Sequence, residues 1–206
     1  MAPPAGTAGG PPAVRARRRH RGWHRRRYLP HFDAAGVIQM ITYRLADSLP
    51  VDVVRECLQT EPKDAEKRKR LEQHLDAGHG SCVLRRPEIA RLVIANWLHF
   101  DTDRYQLLAW VVMPNHVHVM VDIRRGHPLS RIVHAWKSFT GKAIARMTGQ
   151  RRIWQPDYWD RVIRSERHFG AAVDYIVENP VKAGLVRSAD EWPWSGVAGA
   201  LSAPPE

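Results

Sequence analysis

The sequence predicts an α+β fold of the ferredoxin-like, split βαβ kind, an antiparallel sheet with helices on one face and an additional C-terminal helix. Three observations predict it. Tyr105 to Met113 is a continuous apolar run, Pro114-Asn115 makes a turn, and His116 to Ile123 resumes with strand character, as in a β-hairpin of a core. Segments with apolar residues at helical spacing stand before and after that hairpin. The resulting order, strand, helix, two strands, helix, strand, helix, is that of a split βαβ unit with one helix added.

Taken in order, Met1 to Pro12 are almost wholly Pro, Ala and Gly, which bury too little apolar surface to offset the entropy of ordering. Arg15, Arg17, Arg18, Arg19, Arg21, Arg25, Arg26 and Arg27 follow, with Trp23 and Tyr28 interleaved. That pattern suits an arm that contacts phosphates while its aromatics stack on bases, and equally a solvated tail. Residues 1–28 are therefore expected to form a disordered Arg-rich arm, residues 29–198 the folded domain and residues 199–206 a disordered tail. Val37 to Leu45 is β-branched and apolar enough for the first strand. An exposed helix is expected from Pro50 to Gly78, its charge cluster from Lys63 to Arg70 forming a solvated face.

Pro87 can open a second helix, with Ile89, Leu92, Val93, Asn96 and Trp97 on one side. Pro128 to Met147 places Leu129, Ile132, Val133, Trp136, Thr140 and Ala143 on one face, and Gly149 is a terminator. Trp159 to Ile163 reads as a short strand and Glu166 to Asn179 as a helix stopped by Pro180.

A chain of 206 residues suits one principal domain, because domains run to roughly 100–200 residues. The formal net charge of +11 and a pI near 10.3 favour polyanionic partners, nucleic acid first among them. No window approaches the roughly 18 unbroken apolar residues of a membrane span, so no membrane partner is expected. Cys57 and Cys82 lack the spacing of a disulfide framework or zinc knuckle, which fits a reducing cytoplasm. The N-terminus lacks the apolar run of a secretory signal, so export is not expected.

On the strand after the turn, His116, His118 and Met120 share one face, because side chains alternate. Two imidazoles so placed can converge on one metal ion or fill the polar face of a strand. Tyr175 and Asn179 lie four residues apart on one face of the last helix and can serve one site, or be a core tyrosine and a helix stop. Tyr43 and Tyr105 fall in expected strands, Tyr28 in the basic arm and Tyr158 in an aromatic cluster with Trp154 and Trp159. Only Tyr175 has a helical polar partner at i+4.

Three segments carry a family resemblance: Met113-Pro114-Asn115-His116-Val117-His118, Trp136-Lys137-Ser138-Phe139-Thr140, and Tyr175 to Leu185 with its Glu178-Asn179-Pro180. With Leu29-Pro30-His31 and Trp192-Pro193-Trp194-Ser195 they span roughly Leu29 to Ser195. The chain resembles the HUH single-strand transposases of the IS200-like family, specifically the REP-associated tyrosine transposases. The resemblance implies the HUH form of the ferredoxin-like (RRM-like) sheet, in which the additional helix is catalytic. It also implies a single-stranded DNA endonuclease and strand transferase that acts next to DNA hairpins formed by palindromic repeats. Tyr175 matches the nucleophile that forms a 5′-phosphotyrosine, and His116, His118 and Asn179 match the holders of a divalent metal, Mg2+ or Mn2+. Arg25, Arg26, Arg27, Lys137 and Lys182 are the basic residues expected to contact DNA. A monomer is favoured, with a dimer the alternative, in the bacterial cytoplasm in association with the nucleoid. The rival reading is a catalytically inactive hairpin-binding protein, and a third is a metal-dependent hydrolase without a covalent intermediate.

Overall fold

A computed structural model describes residues 22–26, 29–50, 53 and 72–199. The expected disordered segment Met1 to Pro12, Arg27, most of the expected helix after Pro50 and the tail from residue 200 lie outside the described residues. Of that helix, residues 72–76 are described and are helical.

The central sheet is assembled from β3 (Ile38–Arg44), β4 (Tyr105–Val112), β5 (His116–Ile123) and β6 (Trp159–Val162), joined by the short β7 (Ser195–Val197). Its order is β6-β3-β5-β4-β7 and each neighbouring pair is antiparallel. In the connectivity of a split βαβ unit the first and third core strands, here β3 and β5, sit at the centre. This is the predicted ferredoxin-like α+β arrangement. Strand β7 was not expected. Its three residues are too few and too half-buried to show period-2 alternation.

Two helices, α1 (Pro87–Leu98) and α2 (Leu129–Thr148), pack on one face of the sheet. They bury Ile89, Val93, Trp97, Ile132, Val133 and Trp136 against Ile41, Val117, Val119 and Val121. The large aromatics of this core are joined by their polar atoms. Trp136 Nε1 donates to Tyr105 Oη (2.9 Å), Tyr105 Oη donates to the Trp97 carbonyl (2.6 Å), and Trp97 Nε1 donates to Tyr43 Oη (3.0 Å). Such pairing removes the cost of burying the groups and fixes ring orientation.

Helix α3 (Glu166–Lys182) covers the opposite face, packing Ala172 and Ile176 on Ala109, Val111, Met113 and Met120. The helices are thus divided between the two faces, and the added C-terminal helix is the one that stands apart. A register shift between Leu107 and Ala109 of β4 lets Leu107 face the first core while Leu108 and Ala109 face α3. Ser165 caps α3 by accepting a hydrogen bond from the His168 amide (3.2 Å). The helix was expected to stop at Asn179, yet it runs through Pro180 to Lys182. Pro180 enters in the last turn, where its missing N–H costs a single bond. The chain then closes through Ala183 N to Asn179 O (3.0 Å), with Gly184 at φ +67°.

A separate hairpin of β1 (Gly22–Arg26) and β2 (Leu29–Asp33) precedes the sheet. Order was expected to begin near Leu29, and β1 lies upstream of it, because paired backbone needs no apolar pattern where only one short partner is present. The hairpin is fastened at the β6 edge. His31 Nδ1 bonds Asp160 Oδ1 and its Nε2 lies 3.2 Å from Asp157 Oδ1. Asp160 Oδ2 also accepts from the Phe32 amide (2.9 Å). Asp33 accepts from the first amide of α2, Leu129 N (3.1 Å), so β2 supplies that helix with its anionic N-terminal partner.

Candidate active site

Strand β5 pairs on both sides, with β3 through Thr42↔His118 and Arg44↔His116, and with β4 through Val111↔His118. The alternation of a strand therefore delivers His116 and His118 together to the α3 face, with their ring centroids 4.9 Å apart. Both are about 1% exposed. His118 Nδ1 lies 2.7 Å from Thr42 Oγ1. His116 Nδ1 lies 2.8 Å from Asn115 Oδ1, and Asn115 Nδ2 donates to the His79 carbonyl (3.1 Å). Because the amide oxygen of Asn115 is an acceptor, His116 must carry its proton on Nδ1 and present an unprotonated Nε2.

Burial, with the neighbouring His118 and Arg44 adding to it, holds His116 well below its ordinary value, and burial drives His118 down to about 3. Both imidazoles are neutral near pH 7, the form in which they ligate metals. His116 Nε2 and Asp76 Oδ1 stand 4.0 Å apart. With a neutral imidazole that contact is not an ion pair.

Helix α3 brings Tyr175 and Asn179 to the same place. The Tyr175 hydroxyl lies 3.5 Å from His118 Nε2, and the two rings meet edge to face at 5.1 Å. Asn179 is 2% exposed, and its Oδ1 has no hydrogen-bond partner among the described residues. An orphaned buried carbonyl oxygen costs about 1–3 kcal/mol, so its retention points to a ligand. Burial and the carboxylates of Glu72 and Asp76 push the Tyr175 phenol well above its ordinary value, against a hydrogen bond with Asn179 that lowers it. Lys182 Nζ stands 5.4 Å from the centroid of the Tyr175 ring.

The structure thus gathers His116, His118, Tyr175, Asn179 and Lys182 from the sequence-derived set. Lys137 is elsewhere. Its ammonium donates to the carbonyls of Gln155, Pro156 and Asp157, holding the loop before β6. Arg25 and Arg26 are in β1, paired through the backbone with Pro30 and Leu29. Sequence reasoning missed Glu72 and Asp76, which it assigned to an exposed helix. Their i, i+4 spacing on one face, beside Leu75 buried against Leu49 and Val53, was the available signal. Among the described residues, no three His, Cys, Asp or Glu side chains form a closed metal cluster. The His pair with Asn179 is an open set of donors.

Residues 93–179, which run from α1 through both histidines to Asn179, match the family model described as "Transposase IS200 like". The chain carries an IS200-like transposase domain. It is 34% identical over 91 residues to the REP-associated tyrosine transposase of Escherichia coli (strain K12), covering 44% of this chain and 53% of that protein. It is 28% identical over 102 residues to a putative REP-associated tyrosine transposase of Haemophilus influenzae, covering 44% of this chain and 58% of that one. The chain spans somewhat over half the length of the curated relatives it matches. A solved REP-associated tyrosine transposase, bound to a REP hairpin, superposes with a TM-score of 0.51 at 23% identity over 80% of this chain and 79% of that one. At that identity the match shows a shared fold. The resemblance to REP-associated tyrosine transposases read from the motifs is borne out. No helix among the described residues is long and apolar enough to cross a membrane.

Proposed function

We propose that the protein nicks and rejoins single-stranded DNA beside hairpins through a 5′-phosphotyrosine on Tyr175. The observation that carries this reading is the juxtaposition of the Tyr175 hydroxyl, 3.5 Å from His118 Nε2, with a second neutral imidazole and the unpartnered Asn179 Oδ1. The hairpin substrate is supported by the solved relative, which holds a REP hairpin, and by a net charge of +11.

The donor set fits a divalent ion. His116 and His118 are neutral and unprotonated where they face the site, and the Asn179 oxygen lacks any other partner. Those three residues would hold Mg2+ or Mn2+, which when bound supplies charge stabilisation to a phosphate oxygen. The phenol attacks phosphorus, the bond from phosphorus to the 3′ oxygen breaks, and the DNA 5′ side stays on Tyr175 as a phosphodiester while the 3′ oxygen takes up a proton. The phenolic proton leaves toward Glu72, whose carboxylate faces the hydroxyl. Rejoining is the reverse attack by a 3′ hydroxyl, so the covalent bond conserves the energy of the one that was cut. Lys182, close to the phenol ring, offsets phosphate charge, and Arg25, Arg26, Arg27 and Lys137 belong to the DNA-binding surface in this reading. The chain acts as a monomer in the bacterial cytoplasm, associated with the nucleoid.

Covalent capture tests the proposal. Wild-type protein incubated with a labelled single-stranded hairpin and Mn2+ is expected to give a denaturation-resistant adduct that Tyr175→Phe abolishes while hairpin binding persists. Binding by the wild type with no adduct would assign the chain to hairpin recognition alone. Cleavage that survives Tyr175→Phe would assign it to direct hydrolysis.

A further inference from the structure

We infer that Asp76 is a further ligand of the metal held by His116 and His118, an inference that rests on the metal-dependent reading above. The Asn115 contact fixes the proton of His116 on Nδ1, so Nε2 offers a lone pair. Asp76 Oδ1 faces that lone pair across 4.0 Å. Two acceptors pointed at each other, with no hydrogen between them, repel unless a cation lies in the gap. Donors each about 2.1 Å from one ion are about 4.2 Å apart when they lie on opposite sides of it, so the spacing suits an ion seated between them. The Asp76 side chain is 29% exposed against 1% for His116, so it stands at the mouth of the site, where an incoming ion meets it.

The chemistry of the donors supports the same assignment. Two imidazoles and a neutral amide leave the charge of a divalent ion uncompensated and favour softer metals, whereas Mg2+ and Mn2+ prefer oxygen and commonly take one or two carboxylates. Among the described residues, Glu72 and Asp76 are the carboxylates that bear on Tyr175, and Asp76 is the one against His116. The helical residues 72–76, anchored through Leu75 on Leu49 and Val53, thereby contribute a charge that the His pair and α3 lack.

The test measures Mn2+ binding to the full chain by the loss of the free-ion electron paramagnetic resonance signal. Asp76→Asn is expected to weaken Mn2+ binding about 10–100-fold with an unchanged melting temperature in chelator. Asp76→Cys is expected to exchange Mn2+ preference for Cd2+, with a thiolate-to-cadmium absorption band that the wild type, with its own Cys57 and Cys82, does not show. A residue that only braced His116 through a hydrogen bond would not produce that exchange. Unchanged Mn2+ affinity in Asp76→Asn, or an unchanged Mn2+ to Cd2+ ratio in Asp76→Cys, overturns the inference while leaving the His-pair reading intact. If His116→Ala/His118→Ala binds Mn2+ as well as the wild type does, the metal reading fails and this inference with it.

Discussion

His31 is the residue whose titration should be visible in the stability of the whole chain. Burial alone would depress its imidazolium, but hydrogen bonds to Asp157 and Asp160 and the charges of both carboxylates raise it from 6.5 to about 9. At about 1.4 kcal/mol per pH unit, the step from 6.5 to about 9 amounts to roughly 3 kcal/mol. Asp157 is 20% exposed, and solvent screening brings the figure to about 2 kcal/mol. The folded state holds the proton more tightly than the unfolded one. The contribution is therefore fully present below pH 6.5 and is lost as pH rises through about 9. In thermal melts about 2 kcal/mol corresponds to roughly 4–8 °C for a chain of this size. Relative to His31→Gln, the wild type should be stabilised by that amount at pH 6, and the pH-dependent part of the gap should vanish by pH 10. A gap that stays constant or widens across this range would refute the assignment of a charged His31 between two carboxylates.

Three further perturbations bear on the site and its support. Asn115→Ala frees His116 Nδ1 and should lower Mn2+ affinity by about 10–100-fold with little change in melting temperature, as read by titration calorimetry; unchanged affinity would mean that the tautomer is set elsewhere. Tyr105→Phe leaves Trp136 Nε1 and the Trp97 carbonyl unpaired in the core and should cost about 1–3 kcal/mol in urea unfolding, and a neutral result would show that the aromatic chain repacks. In β7, Gly196→Ala sets a methyl group into the Trp110 ring and should destabilise by about 1–3 kcal/mol, checked by the same unfolding curves.

Legibility in the sequence followed the strength of local periodicity. Strands β4 and β5 were readable because a long apolar run is split by Pro114-Asn115, and α1 and α2 because their buried residues repeat at helical spacing. The end of α3 was misplaced, since a proline in the last turn sacrifices too little to stop a helix that Ala183 and Gly184 go on to close. The hairpin β1–β2 was missed because its fastening is non-local. His31 meets Asp160 from 129 residues away, and no window along the chain contains both. At the site, His116 and His118 were legible from strand alternation and Tyr175 with Asn179 from the helix repeat. Asp76 was not, because its partner His116 is 40 positions downstream and its own segment reads as a charged, solvated helix.

Strand β5, hydrogen-bonded along both edges, also sets a hierarchy of local opening. Its amides can exchange with solvent only when β3 or β4 detaches, which approaches global unfolding. Helix α3 rests on the sheet through few fully buried side chains, Ala172, Ile176, Asn179 and Pro180, and can lift at much lower cost. The imidazoles thus sit on the segment with the slowest hydrogen exchange, and the phenol on one with faster exchange. Thermal fluctuation would then vary the separation of nucleophile and His pair from the tyrosine side, leaving the histidines as the fixed reference of the site.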